Sequence, residues 1–170
     1  MKNIVKLAAI GALMTMAACS RPAAQGAMVS DPYAGAGGAG AVGASTLPGT
    51  AEYFKATVGD TVLFPVDQST LTPEARATLA NQAGWLSQNA GFSAVIEGHA
   101  DEQGTREYNL ALGARRANSV QEYLISQGIV AGRLKTVSYG KERPLAICST
   151  EECYSKNRRA VTVVSPGAGM

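Results

Sequence analysis

The chain has 170 residues, 46% hydrophobic and 16% charged, with 19 glycines, three cysteines and a formal charge of +2. That length suits one domain with a real core, and the composition excludes collagen, coiled coil and strongly charged disorder. The positive excess sits entirely at the start: Lys2 and Lys6 precede Cys19 without an acid, and the remainder carries 13 basic and 13 acidic side chains. A formally neutral remainder gives no reason to expect a nucleic-acid partner.

After Lys2 and Lys6, an apolar run extends from Leu7 to Ala18, interrupted only by Gly11 and Thr15. As a helix it would cover about 18 Å, short of the roughly 30 Å hydrocarbon core of a bilayer. It therefore reads as a secretory segment, residues 1–18, rather than a membrane span. Small residues at Ala17 and Ala18 lead into Cys19, where cleavage would fall. This pattern is similar to a bacterial lipobox, which marks the cysteine for lipidation. Several acyl chains, each buried CH₂ contributing about 0.8 kcal/mol, would hold the chain to a leaflet. Ser20 stands where Asp would favour inner-membrane retention in some bacteria, which points to the outer membrane.

Residues 19–50 form the lipidated start and a tether. From Ser20 to Thr50 there are 7 Gly, 8 Ala and 3 Pro, with only Arg21 and Asp31 charged. Too few large apolar side chains are present to offset the entropy of ordering. A flexible chain of this length has a root-mean-square span of about 30 Å.

The head, residues 51–165, reads as one α+β domain. Thr61–Phe64 is a short strand that Pro65 ends or forces to a sheet edge. Thr72, Pro73 and Glu74 supply a helix N-cap, first residue and first-turn acid, and Leu79, Ala83 and Leu86 continue at helical spacing. Phe92–Glu97 is a second strand, ending at Gly98. Gly104-Thr105 opens a long helix with Leu110, Ala114, Ala117, Val120 and Leu124 at i+3/i+4 steps and Gly128 beyond its end. Leu134–Tyr139 is a third strand. A loop with a short helix leads to a fourth, Ala160–Val164, and residues 166–170 read as a disordered tail. The order implies a mixed sheet with helices packed on one face.

The chemistry this sequence can support is narrow. With one histidine, His99-Ala100-Asp101 lacks further ligands at metal-binding spacing. No nucleophile elbow or phosphate-cradling glycine loop occurs. No cofactor is implied. Cys148 and Cys153 lie close together in one loop; in an envelope protein this favours a disulfide, with a reactive thiol pair as the alternative. Asp101 stands just past a strand end, and Asn109, Leu112 or Gly113, and Arg116 share one helical face. A carboxylate and a guanidinium so arranged could receive a zwitterion, the ammonium on one and the carboxylate on the other. Spacing alone favours a blander arrangement, with Asp101 capping the helix and Arg116 pairing with a neighbouring acid in solvent.

Five strings change that balance: Glu97-Gly98-His99-Ala100-Asp101-Glu102, Tyr108-Asn109-Leu110, Arg115-Arg116-Ala117-Asn118, Val137 through Pro144, and Tyr154-Ser155-Lys156-Asn157-Arg158-Arg159-Ala160-Val161. Together with the lipobox they closely resemble the peptidoglycan-associated lipoproteins (Pal), the lipid-anchored branch of the OmpA C-terminal-like family, over about residues 60–165. The resemblance implies a βαβαβ(αβ) domain in the periplasm that binds peptidoglycan noncovalently through meso-diaminopimelate. It also implies membership of the Tol–Pal system of envelope integrity and cell division, with TolB and other Tol proteins as partners. On this resemblance Asp101 falls on the ammonium-binding aspartate and Arg116 on the carboxylate-binding arginine, with Asn109 and Arg158 as accessory contacts. Two positions depart from the family: Pro65 replaces an Asp often found after the first-strand Phe, with Asp67 retained, and the Cys148/Cys153 loop is cysteine-free in many members. His99 reads as structural. Replacing Asp101 or Arg116 is expected to spare the fold. The alternatives are a lipid-anchored peptidoglycan hydrolase using His99 and Asp101, or a structural lipoprotein that contacts only proteins.

Overall fold

The computed structural model describes residues 47–167. The expected signal segment, the lipidation at Cys19, the tether through residue 46 and residues 168–170 lie outside the described residues. Residues 47–50, expected as the end of the tether, form a turn on the head. The Trp85 indole N–H donates to the Pro48 carbonyl at 2.6 Å, and Thr50 caps a short helix α1 (Ala51–Tyr53) by accepting from the Tyr53 N–H.

Helix α1 runs into a π-helical turn at Phe54–Gly59 that shows no regular apolar period in the sequence. Its anchor is Phe54, fully buried with its ring 4.9 Å from Trp85, which in turn meets Phe92 at 5.0 Å. Strand β1 (Thr61–Leu63) follows, then α2 (Pro73–Gln88), β2 (Phe92–His99) and α3 (Arg106–Ser126). A 3₁₀ turn at Ala131–Arg133 leads into β3 (Leu134–Gly140), α4 (Glu151–Asn157) and β4 (Arg159–Pro166). The N-caps are those expected: Thr72 accepts from Ala75 N–H, and Thr105 from Tyr108 N–H. The last strand runs past Val164 to Pro166, opposite Phe92, and Gly167 N–H donates to the Gly91 carbonyl.

The sheet order is β1-β4-β2-β3, with β4 antiparallel to both neighbours and β2 parallel to β3. The final strand is therefore central, and β1 is an edge that ends at Leu63, before Pro65. One face of the sheet, carrying Val62, Ala94, Ile96, Ala160 and Val164, is buried with Leu79, Leu86, Val120 and Leu124 in a single core. Strands β2 and β4 alternate between this covered face and a half-open one, as period-2 side chains require.

Where α3 crosses β2, both elements carry glycine. A Cβ on Gly98 would lie 1.8 Å from the Gly113 carbonyl oxygen, and one on Gly113 would lie 2.4 Å from Ser138 Oγ. Backbone contact here brings the first half of α3 down onto the carboxyl ends of β2 and β3, where the candidate site is built.

Candidate functional site

Asp101 follows β2 directly, and Asn109, Leu112, Gly113 and Arg116 form the buried face of α3, as their spacing predicts. Asp101 does not cap the helix; Thr105 does. One Asp101 oxygen accepts from the Gln103 N–H at 3.3 Å and the other from Arg158 Nη1, also at 3.3 Å.

A cavity of about 310 Å³ opens beside Asp101, lined by Val66, Asp67, Asp101, Gln103, Gly104, Tyr108, Asn109 and Leu112. Its wall is acidic. Asp67, at φ 57°, is the one non-glycine residue of positive φ among those described, a conformation Asp tolerates better than most. Its carboxylate accepts from the Tyr108 hydroxyl. Asn109 donates Nδ2–H to the Gln103 carbonyl at 2.7 Å, which leaves its buried Oδ1 without a partner among the described residues. Two carboxylates and an unpartnered amide oxygen are the acceptor groups that a cationic donor requires.

The two arginines stand one layer in from this wall. Arg116 is 0% exposed. It donates from Nε to Gln68 O at 2.8 Å, from Nη1 to His99 O at 2.9 Å and from Nη2 to Pro65 O at 3.2 Å. Its guanidinium carbon lies 5.2 Å from the Phe64 ring centre. Burial pushes its pKa down to about 10, against the pull of Asp101, so the charge persists at neutral pH. Arg116 is thus no solvent-paired surface residue. It clamps the Pro65–Gln68 loop that carries Val66 and Asp67 into the cavity. Three backbone carbonyls take a side-chain donor from it, which runs against the expectation that replacing it spares the fold. Pro65 contributes its carbonyl rather than a side-chain charge, and the retained Asp67 supplies the carboxylate.

Arg158 follows α4 and is also buried. It donates from Nε to Phe64 O at 3.2 Å and joins two acids, Asp101 and Glu151. The hydrogen bonds of Glu151 raise the Arg158 pKa, and Arg158 in turn lowers that of Glu151. Cys148 and Cys153 form the expected disulfide. Sequence reasoning overlooked Glu151, although it lies seven residues before Arg158, the same two-turn spacing that linked Asn109 to Arg116. Asn157 was also missed as a fastener: its Oδ1 accepts from Leu145 and Ala146 N–H, and its Nδ2 donates to Glu102 Oε1 and Ala146 O.

His99 is not among the residues that line this cavity. It is 2% exposed, its ring centre is 5.6 Å from that of Tyr139, and neither ring nitrogen has a hydrogen-bond partner among the described residues. Burial, with Arg159 and Arg143 nearby, pushes its pKa down to about 4. Among the described residues no group of His, Cys, Asp and Glu is placed to hold a metal ion. No described helix is long and apolar enough to cross a membrane.

A mixed four-stranded sheet with a cavity at the strand ends, walled by Asp101 after β2 and by the first half of α3, defines the class. Residues 63–158 match the OmpA family. The chain belongs to that family and, within it, to the peptidoglycan-associated lipoproteins. The Mesorhizobium japonicum peptidoglycan-associated lipoprotein is 54% identical over 132 residues, covering 78% of this chain and 77% of that one. Its Haemophilus influenzae counterpart is 37% identical over 160 residues, covering 94% and 97%. The crystal structure of the peptidoglycan-associated lipoprotein from Burkholderia pseudomallei superposes with a TM-score of 0.64 at 32% identity, covering 68% of this chain and all of that one.

Proposed function

We propose that this chain is a noncovalent anchor between a membrane and the cell wall. Its head binds peptidoglycan through the meso-diaminopimelate of stem peptides, and Cys19 carries the lipid that holds the protein in the outer membrane. The observation that carries the reading is the cavity wall: Asp67, Asp101 and the unpartnered Asn109 Oδ1 suit the ammonium of a diamino acid. Arg116 supplies positive charge for the neighbouring carboxylate. It does so from one layer behind the wall, fully buried, with three of its hydrogen bonds on backbone carbonyls.

Family membership favours binding over catalysis and supports a head in the periplasm, with residues 19–46 as its tether. TolB and the other Tol proteins are the partners the family resemblance suggests. One such cavity gives a modest contact. Many anchored heads facing one polymer would raise the effective concentration and hold firmly.

The test is titration of the protein with a stem peptide containing meso-diaminopimelate against its lysine analogue. Lysine keeps the side-chain ammonium but lacks the distal carboxylate, so binding should weaken by about tenfold or more if Arg116 reads that group. Equal affinity for the two peptides would defeat the assignment of Arg116. Release of soluble fragments from peptidoglycan would favour a hydrolase.

A further inference from the structure

We infer that Glu151, fixed in place by the Cys148–Cys153 bridge, is a positioning residue for the ligand cavity, drawing on Arg158 so that the Asp101 charge remains available to an ammonium. The inference rests on the reading that the cavity takes the ammonium of a diamino acid.

Arg158 lies between two carboxylates. Its Nη1 is 3.3 Å from Asp101 Oδ2 and 3.3 Å from Glu151 Oε2, and its Nη2 reaches Glu151 Oε1. The guanidinium is therefore held in a two-toothed grip by Glu151 and by a single bond to Asp101, with Nε spent on Phe64 O. A two-bond pair with a carboxylate outcompetes a one-bond contact. Without Glu151, the one acid hydrogen-bonded to Arg158 among the described residues is Asp101, and a fully paired Asp101 has less charge to offer a ligand ammonium.

The position of Glu151 depends on the bridge. The loop before α4 packs poorly: Leu145 is 67% and Ile147 90% exposed. Asn157 fastens its first half at Leu145 and Ala146. Beyond Ile147 the covalent link takes over, from Cys148 in the loop to Cys153 in the first turn of α4, with Cα atoms 5.7 Å apart. Glu151 lies inside the closed turn. The disulfide thus does more than staple a surface loop; it sets the acid that balances Arg158.

The experiment measures affinity of the full chain in detergent for two peptides: a meso-diaminopimelate stem peptide and an analogue lacking only the distal amino group. Glu151→Gln should weaken the first by about tenfold and leave the second within about twofold. Glu151→Asp should recover part of the loss. A Cys148→Ser/Cys153→Ser variant should shift in the same direction, and combining it with Glu151→Gln should add little. Wild-type failure to bind the stem peptide would overturn the underlying reading. Normal wild-type binding with unchanged or tighter binding by Glu151→Gln, or an equal loss for both peptides, would overturn this inference alone.

Discussion

Gly98 in β2 and Gly113 in α3 meet backbone to backbone, with no room for a single methyl group between them: a Cβ on Gly98 would sit 1.8 Å from the Gly113 carbonyl oxygen and 3.2 Å from the Ala117 Cβ. This contact sets the height of α3 above the sheet, and with it the distance of Asn109 and Arg116 from Asp101. Gly98→Ala is expected to force the helix away, at a cost of about 3 kcal/mol, since overpacking a close contact against backbone has little room to relax. The thermal midpoint should fall on the order of 10 °C. Affinity for peptidoglycan should drop with it, read by co-sedimentation below the unfolding temperature.

Asp101 and Arg116 should separate into different kinds of residue. Asp101→Asn keeps the side-chain shape and leaves Glu151 to hold Arg158. It should therefore spare the fold while weakening binding of the diaminopimelate peptide by about tenfold or more. Arg116→Ala strips Gln68, His99 and Pro65 of their buried donor. Each orphaned acceptor costs about 1–3 kcal/mol, so this variant should lose at least about 3 kcal/mol in urea unfolding as well as its ligand. Retention of full stability by Arg116→Ala would show that the loop can be held without it.

Leu124, on the buried face of α3, is fully enclosed with Val120, Ile96 and Leu86. Leu124→Ala should cost about 2–5 kcal/mol, the range for large-to-small changes in a packed core. The check is a shift in the denaturant midpoint at unchanged slope.

His99 should make stability depend on pH. Its pKa falls from 6.5 to about 4 on folding, through burial first and then Arg159 and Arg143, with Glu97 3.8 Å away on the same strand. The unfolded chain therefore binds the extra proton between those values. The stability linked to His99 is complete above about pH 6.5, declines as pH falls and is lost below about pH 4, in all up to about 3 kcal/mol. Denaturant titrations across this window should show the slope in the wild type. His99→Phe, which keeps a ring beside Tyr139, should flatten it.

Much of the head was legible in the chain itself. Thr72-Pro73-Glu74 and Gly104-Thr105 announce helix starts because capping is a local event, decided by a side-chain oxygen and the next three N–H groups. The strands were legible from their β-branched runs. The π-helical turn after Tyr53 was not, because what orders it is the remote pairing of Phe54 with Trp85. The same holds for residues 47–50, whose composition reads as tether and whose Pro48 carbonyl is claimed by that indole.

The site divides along the same line. By itself the sequence determined that Asp101 follows a strand, that Asn109 and Arg116 share a helix face, and that Cys148 and Cys153 lie near enough to bond. These are statements about neighbours along the chain. Only the tertiary structure decided that β4 enters the middle of the sheet and delivers Arg158 to Asp101. It also decided that Arg116 faces inward to carry a loop, leaving the cavity wall to Asp67, Asp101 and Asn109. Burial is the physical reason: a guanidinium excluded from water must find acceptors wherever the fold brings them, and those acceptors lie 17 to 51 residues away in sequence.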